Sequence, residues 1–181
     1  MLLRRIILAP FLTAALATAG SLPASAQSRA PLSAVPYWTG QLVNLNSGKC
    51  LDVYNWSKST SATIDQWTCG NNQANQLWRL IENSNGVSFW IQNVNSGMCL
   101  EPETNEVGTY IVQNPCNASD PLQSWLVVAD GSSTWYENAN WPASDPTGLD
   151  VYGASKANHA WIDLWYMNWN AHQTWNVPPG F

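Results

Sequence analysis

The chain has 181 residues with 12 acidic against 7 basic side chains, a formal net charge of −5, and charged residues make up only 10% of it. That balance argues against binding a phosphate backbone, so no nucleic-acid partner is expected. Twelve tryptophans stand beside four cysteines and two histidines, which leaves most polar work to amides and hydroxyls.

At the start of the chain, Arg4 and Arg5 precede a nearly apolar run from Ile6 to Leu16, and Ala24-Ser25-Ala26 forms a small-residue cleavage site. Residues 1–26 therefore read as a secretory signal peptide. Pro10 breaks the run, which falls short of the about 20 apolar residues a spanning helix needs, so no membrane insertion is expected. The product is expected outside the cell or in the periplasm, cut near Ala26. Residues 27–36, rich in Ala, Ser and Pro, read as a flexible leader. A single domain is expected over 37–181.

Within that domain the sequence repeats three times, over about 37–83, 84–130 and 131–181. The first copy carries Asn44-Leu45-Asn46-Ser47-Gly48-Lys49-Cys50-Leu51-Asp52 and closes on Asn75-Gln76-Leu77-Trp78; the second carries Asn93-Val94-Asn95-Ser96-Gly97-Met98-Cys99-Leu100-Glu101 and closes on Leu122-Gln123-Ser124-Trp125. The third is looser, with Gly148-Leu149-Asp150-Val151, Ile162-Asp163-Leu164-Trp165 and His172-Gln173-Thr174-Trp175. Short apolar or alternating runs at Gly40 to Leu45, Ala62 to Trp67, Leu77 to Ile81, Phe89 to Val94 and Gln123 to Val128 are punctuated by Asn, Gly and Ser clusters, and no window keeps a helical period for three turns. An all-β fold is expected. Three repeats of roughly four strands each fit a closed threefold barrel, because a propeller needs about four blades or more.

Four cysteines in an exported chain point to two disulfides. Cys50 and Cys69 occupy places in copy one equivalent to those of Cys99 and Cys116 in copy two. Copy three has Gly148 and Met167 there, losing both members together, so pairing within each copy is expected. No zinc-ligand spacing occurs, and neither a metal nor a cofactor is expected.

The three Gln-x-Trp signatures, with Gly48-Lys49-Cys50-Leu51-Asp52 and Gly97-Met98-Cys99-Leu100, make the whole domain resemble the ricin B-type lectin family. The resemblance implies a β-trefoil fold in which Trp78, Trp125 and Trp175 form a pseudo-threefold core. It also implies sugar binding. A sugar ring offers paired hydroxyls and an apolar face, so a site needs a carboxylate, an amide and an aromatic platform. Copy one supplies Asp52, Trp67 and Asn75, with Asp65 and Gln76 in support, although Asp65 stands where the family commonly has glutamine. Copy three supplies Asp150, Asp163, Trp165, His172 and Gln173, with His172 in the asparagine's place. Trp161 and Trp169 flank that set, as an extended platform or as ordinary packing. Competing readings are a turn-capping role for Asp52 and a core role for Trp67. Copy two departs at each place, with Glu101 followed by Pro102, Asn114 for the aromatic and Leu122 for the amide, and is expected not to bind.

The resemblance thus implies a secreted lectin rather than an enzyme, with galactose, N-acetylgalactosamine or another glycan as its partner. The alternative is an accessory subunit that targets a separately encoded secreted toxin or glycoside hydrolase to glycans or cells.

Overall fold

The computed structural model describes residues 37–176, 178 and 180; the signal-peptide and leader readings fall on residues 1–36, outside the described residues. Eleven strands run in chain order as β1 Trp38–Gly40, β2 Cys50–Val53, β3 Ala62–Trp67, β4 Trp78–Glu82, β5 Phe89–Asn93, β6 Cys99–Pro102, β7 Ile111–Asn114, β8 Trp125–Asp130, β9 Ser133–Asn138, β10 Thr147–Val151 and β11 Ala160–Tyr166. No α-helix occurs among the described residues. None of their helices is long and apolar enough to cross a membrane.

The pairings form a barrel closed at one end by hairpins, a β-trefoil. Around the barrel β1 pairs with β4, β4 with β5, β5 with β8 and β8 with β9. Isolated bridges from Thr134 to Trp175 and from Trp175 to Asn44 close the ring. The hairpins β2–β3, β6–β7 and β10–β11 form the cap, where β3 pairs with β7 and β11 pairs with β3. A bridge between Tyr110 and Asp163 completes the triangle. The apolar run Gly40 to Leu45 differs from the strand its sequence predicts. β1 ends at Gly40, and only Val43 and Asn44 make isolated bridges beyond it. The backbone of Val43 is instead held by the Asn176 side chain, at 2.6 Å from Val43 N.

Period-two alternation sends one face of each strand inward. Trp78, Trp125 and Trp175 are fully buried among Leu51, Leu100, Leu149, Ile64, Ile111 and Ile162, the same positions in each repeat. The indole N–H of Trp78 donates to Leu51 O at 2.9 Å and that of Trp125 to Leu100 O at 3.0 Å. Burying one such ring contributes a few kcal/mol at about 25 cal/mol per Å².

Each Gln-x-Trp segment begins in a short 3₁₀ turn, at Ala74–Gln76, Pro121–Gln123 and Ala171–Gln173, whose backbone must find partners inside the fold. The glutamines clasp the loop before them. Gln76 donates to Thr68 O and accepts from Gly70 N, Gln123 bonds Pro115 O and Asn117 N, and Gln173 bonds Tyr166 O and Asn168 N. The next asparagine holds the turn from the other side. Asn93 donates to Asn75 O at 3.0 Å and Leu77 O at 3.4 Å, while its Oδ1 accepts from Asn95 N and Ser96 N. Asn44 does the same for His172 O and Thr174 O, and Asn138 for Leu122 O. Gly48 and Gly97 take the left-handed conformation (φ 67° and 74°) that closes the hairpin this asparagine caps.

Disulfides join Cys50 to Cys69 and Cys99 to Cys116, closing sequence separations of 19 and 17. In the chain-entropy picture each stabilises by about 3 kcal/mol. The third repeat fills the same space with a thioether, since a Cβ at Gly148 would fall 2.7 Å from Met167 Sδ and 2.5 Å from Tyr136 O. Because Asn93 is fully buried and satisfies four backbone groups, Asn93→Ala is expected to lower stability by about 2–4 kcal/mol, each orphaned group costing about 1–3 kcal/mol. Urea denaturation followed by tryptophan fluorescence measures this.

Candidate functional site

Two clefts lie on the outer face of the hairpin cap, in repeats one and three. The first encloses about 350 Å³ between Asp52, Tyr54, Asn55, Trp56, Asp65, Trp67, Gln73, Asn75 and His159. Its acids come from the two strands of one hairpin, where Asp52 stands directly opposite Asp65. Both are buried, and Asn75 Nδ2 donates to Asp52 Oδ2 at 2.9 Å. Asp65 Oδ2 lies 2.8 Å from His159 Nδ1. Asp65 Oδ1 and Asn75 Oδ1 are buried with no hydrogen-bond partner. Trp67 forms a wall, with the His159 ring against it at 4.3 Å between centroids and 61°.

The second cleft, of about 290 Å³, is lined by Asp150, Tyr152, Gly153, Ala154, Asp163, Trp165, Asn168 and His172. Asp150 stands opposite Asp163 in the β10–β11 ladder, just as in repeat one. His172 Nε2 lies 3.2 Å from Asp150 Oδ2, but that oxygen makes no hydrogen bond and neither does Asp163 Oδ1, so the contact is close without being aligned. Trp165 is half-exposed beside Gly108, where a Cβ would come within 3.3 Å of the indole.

The structure brings together Asp52, Asp65, Trp67 and Asn75 in one cleft, and Asp150, Asp163, Trp165 and His172 in the other. Gln76 and Gln173 are fully buried and committed to the loop clasps described above. Trp161 and Trp169 line neither cleft; Trp161 instead leans on Tyr54 of repeat one. In repeat two the place of the second acid is taken by Val112, which faces Glu101. Both Glu101 oxygens are taken up internally, Oε1 by Asn114 Nδ2 and Oε2 by Gln123 Nε2.

Sequence reasoning missed Tyr54, Asn55, Trp56, Gln73 and His159 in the first cleft and Tyr152, Gly153, Ala154 and Asn168 in the second. One signal was readable. Asp52-Val53-Tyr54 and Asp150-Val151-Tyr152 match, where repeat two has Glu101-Pro102-Glu103. After each tyrosine come two left-handed residues, Asn55 and Trp56 (φ 52° and 56°) and Gly153 and Ala154 (φ 63° and 51°). Such a conformation costs a non-glycine residue roughly 1–2 kcal/mol. It recurs only in the two repeats that hold clefts, and it turns the loop into a wall.

His159 carries no such signal, because it belongs to repeat three. It precedes β11, which pairs with β3, and its own N–H donates to Gln66 O at 3.0 Å. The equivalent positions are Ser61, whose N–H donates to Asn114 Oδ1 of repeat two, and Gly108, which abuts Trp165 of repeat three. All three have positive φ, at 57°, 87° and 64° for Ser61, Gly108 and His159.

Burial pushes Asp52 up to about 7; the charge of Asp65 adds to this and the hydrogen bond from Asn75 opposes it. Burial pushes Asp65 up to about 6, against the hydrogen bond and charge of His159. In repeat three, burial pushes Asp150 up to about 6, and Asp163 up to about 7 with help from the Asp150 charge. Burial moves His172 downward.

The family model described as ricin-type β-trefoil lectin domain-like matches residues 35–110 and 88–165. No curated protein matches the chain. Among solved structures, the designed threefold-symmetric protein ThreeFoil is 26% identical at a TM-score of 0.70, covering 77% of this chain and 97% of its own. The Rhizoctonia solani agglutinin is 24% identical at 0.69, covering 81% and 97%. An exo-β-1,3-galactanase from Clostridium thermocellum is 28% identical at 0.70; the match covers 78% of this chain but only 30% of the galactanase.

Carboxyls with raised values hold their protons more tightly folded than unfolded. Their stabilising contribution is therefore complete below the unfolded value of 3.8 and lost as pH rises through about 6 to 7. His172, shifted downward, acts in the opposite sense as pH falls, but it is one group against four. The melting temperature of the ligand-free protein is expected to be higher at pH 5 than at pH 8. Asp52→Asn combined with Asp163→Asn should flatten that slope, as differential scanning calorimetry across the range will show.

Proposed function

We propose that the chain, which belongs to the ricin-type β-trefoil lectin domain-like family, is a secreted carbohydrate-binding protein that holds sugar in the clefts of repeats one and three and catalyses no reaction. The observation that carries the reading is a set of unsatisfied buried polar atoms at aromatic-walled clefts. Asp65 Oδ1 and Asn75 Oδ1 in the first, with Asp150 Oδ2 and Asp163 Oδ1 in the second, have no partner. Buried polar atoms are normally paired, and the hydroxyls of a sugar ring supply the donors that these four acceptor oxygens lack.

In this reading Asp52 and Asp150 accept from adjacent hydroxyls, Trp67 and Trp165 stack under the apolar ring face, and Asn75 or His172 provides the third polar contact. Asp65 and Asp163 each offer an unpartnered Oδ1 to a further hydroxyl. Gln76 and Gln173 position the loop rather than meet the sugar directly. Repeat two binds nothing, because its acid is already satisfied by Asn114 and Gln123. A galactose-type ligand is supported by the 28% identity to an exo-β-1,3-galactanase, and export by two disulfides together with the sequence of residues 1–26.

A second reading, a glycan-targeting accessory to a separate secreted hydrolase or toxin, is favoured by the same galactanase, of which this domain's counterpart is a 30% share. Co-purification of the exported chain with a hydrolase or toxin tests it.

Removing a carboxylate that accepts from two hydroxyls forfeits about 3 kcal/mol or more, at 1.5–3 kcal/mol per charged hydrogen bond. Asp52→Ala and Asp150→Ala are each expected to abolish one of two sites, with at least a hundredfold loss there, and the double variant to bind no glycan on an array. Glu101→Ala is expected to leave binding intact. Undiminished binding by the double variant would overturn the assignment.

A further inference from the structure

Three equivalent residues, Thr63, Tyr110 and Trp161, surround the pseudo-threefold axis on the outer face of the cap. Each lies two positions before the residue at the second-acid place, Asp65, Val112 and Asp163, and so on the same face of its strand. The cap pairings set Trp161 opposite Asp65 of the next repeat and Tyr110 opposite Asp163. Two of the three axial positions are thus aromatic, and each of those two adjoins a repeat that holds a cleft.

The rings form an unbroken row. His159 touches Trp67 in the first cleft, Tyr54 follows His159 at 5.2 Å between centroids, Trp161 follows Tyr54 at 5.6 Å, and Tyr110 follows Trp161 at 6.1 Å. The interplanar angles from Tyr54 onward are 64°, 66° and 55°, so no ring in the row is covered by a parallel neighbour. Tyr54 and Tyr110 are 42% and 44% exposed. Neither Trp161 nor Tyr110 lines either cleft. Trp161 between Tyr54 and Tyr110 is part-buried, and contiguous aromatics that reach solvent next to a polar cleft mark a binding surface rather than a core.

From this row we infer a strip, formed by Tyr54, Trp161 and Tyr110, that continues the first cleft across the threefold axis and takes the further units of an oligosaccharide whose end sits between Asp52, Asn75 and Trp67. The strip rests on the sugar-binding reading of that cleft. Its chemistry suits a chain of sugars. Tyrosine and tryptophan offer an apolar face to C–H groups and a polar tip to hydroxyls, and the rings follow one another closely enough for consecutive units of one chain to meet consecutive rings. The ligand is therefore a linear glycan rather than a monosaccharide alone.

The test is isothermal titration of the full chain with galactose and β-1,3-linked galacto-oligosaccharides of two to six units, and with xylose and the corresponding xylo-oligosaccharides. In at least one series, affinity is expected to rise about tenfold from one unit to four, the scale of one or two added aromatic contacts. Trp161→Ala and Tyr110→Ala should each remove at least threefold of that gain while leaving the monosaccharide affinity unchanged, and Trp161→Tyr should retain most of it. Should Trp161→Ala fail to fold, Tyr110→Ala at its exposed position still decides. A flat length series with the monosaccharide bound, or a gain that survives in both alanine variants, overturns the strip and leaves the cleft assignment standing. Absence of binding to every sugar overturns the cleft assignment and the strip with it.

Discussion

The buried Gln-x-Trp turn is the constraint on which the rest of the structure depends. Driving Trp78, Trp125 and Trp175 into one core draws the preceding turn inward with them, and its carbonyls leave solvent. Those of Leu77, Ser124 and Thr174 meet the backbone N–H groups of Val94, Ala139 and Leu45, while those of Asn75, Leu122 and His172 are satisfied by side chains. Asn93 reaches back from repeat two to the turn of repeat one, Asn138 to that of repeat two, and Asn44 across the closure to that of repeat three. Each turn is thereby fixed by the repeat that follows it around the barrel. The residue just before the glutamine, Asn75 or His172, rides on this turn. The clamp that completes the core also places the third polar group of each cleft.

Much of this was legible because threefold repetition lets one copy explain another. Disulfide pairing followed from Gly148 and Met167 replacing both cysteines at once, and the structure shows why the exchange is mutual. Met167 Sδ occupies the space a Cβ at residue 148 would need. The contrast between Asp52 and Glu101 was legible for the same reason, as were the turns marked by Asn-x-Asn-Ser-Gly. What stayed hidden depends on contacts between repeats. The run from Gly40 to Leu45 looks like a strand, but its partners come from distant segments and include the side chain of Asn176. Trp161 looked like a neighbour of its own repeat's acids, yet antiparallel pairing of β11 with β3 carries it to repeat one. No pattern within one copy encodes such a displacement.

Two carboxylates directly opposite each other on adjacent strands repel, and burial makes the conflict worse. The three repeats resolve it differently. Repeat two removes one acid, Val112 standing where the others have aspartate, and ties the remaining Glu101 to two amides. The cleft of repeat one sets His159 against Asp65, and its hydrogen bond and charge oppose the upward push of burial on that acid. The cleft of repeat three has Gly108 at that place, and there the charge of Asp150 adds to the upward push on Asp163. The chain's only two histidines thus each stand against an acid of a cleft, one from a neighbouring repeat and one from its own.

A cleft in this fold is therefore not the property of a single repeat. One hairpin supplies the opposed acids and the tryptophan, the following repeat holds the turn that brings the amide, and the preceding repeat supplies the left-handed residue that borders the aromatic wall. At that last position backbone geometry is constant while the side chain varies, from Ser61 to Gly108 to His159. With a glycine there, as at 108, Trp165 is left half-exposed; with a histidine, the ring abuts Trp67 and engages Asp65 in one contact set. Threefold symmetry of the backbone is thus compatible with three chemically distinct surfaces, in part because one of the residues that distinguish them is contributed across a repeat boundary. It can change there without disturbing the core that all three share.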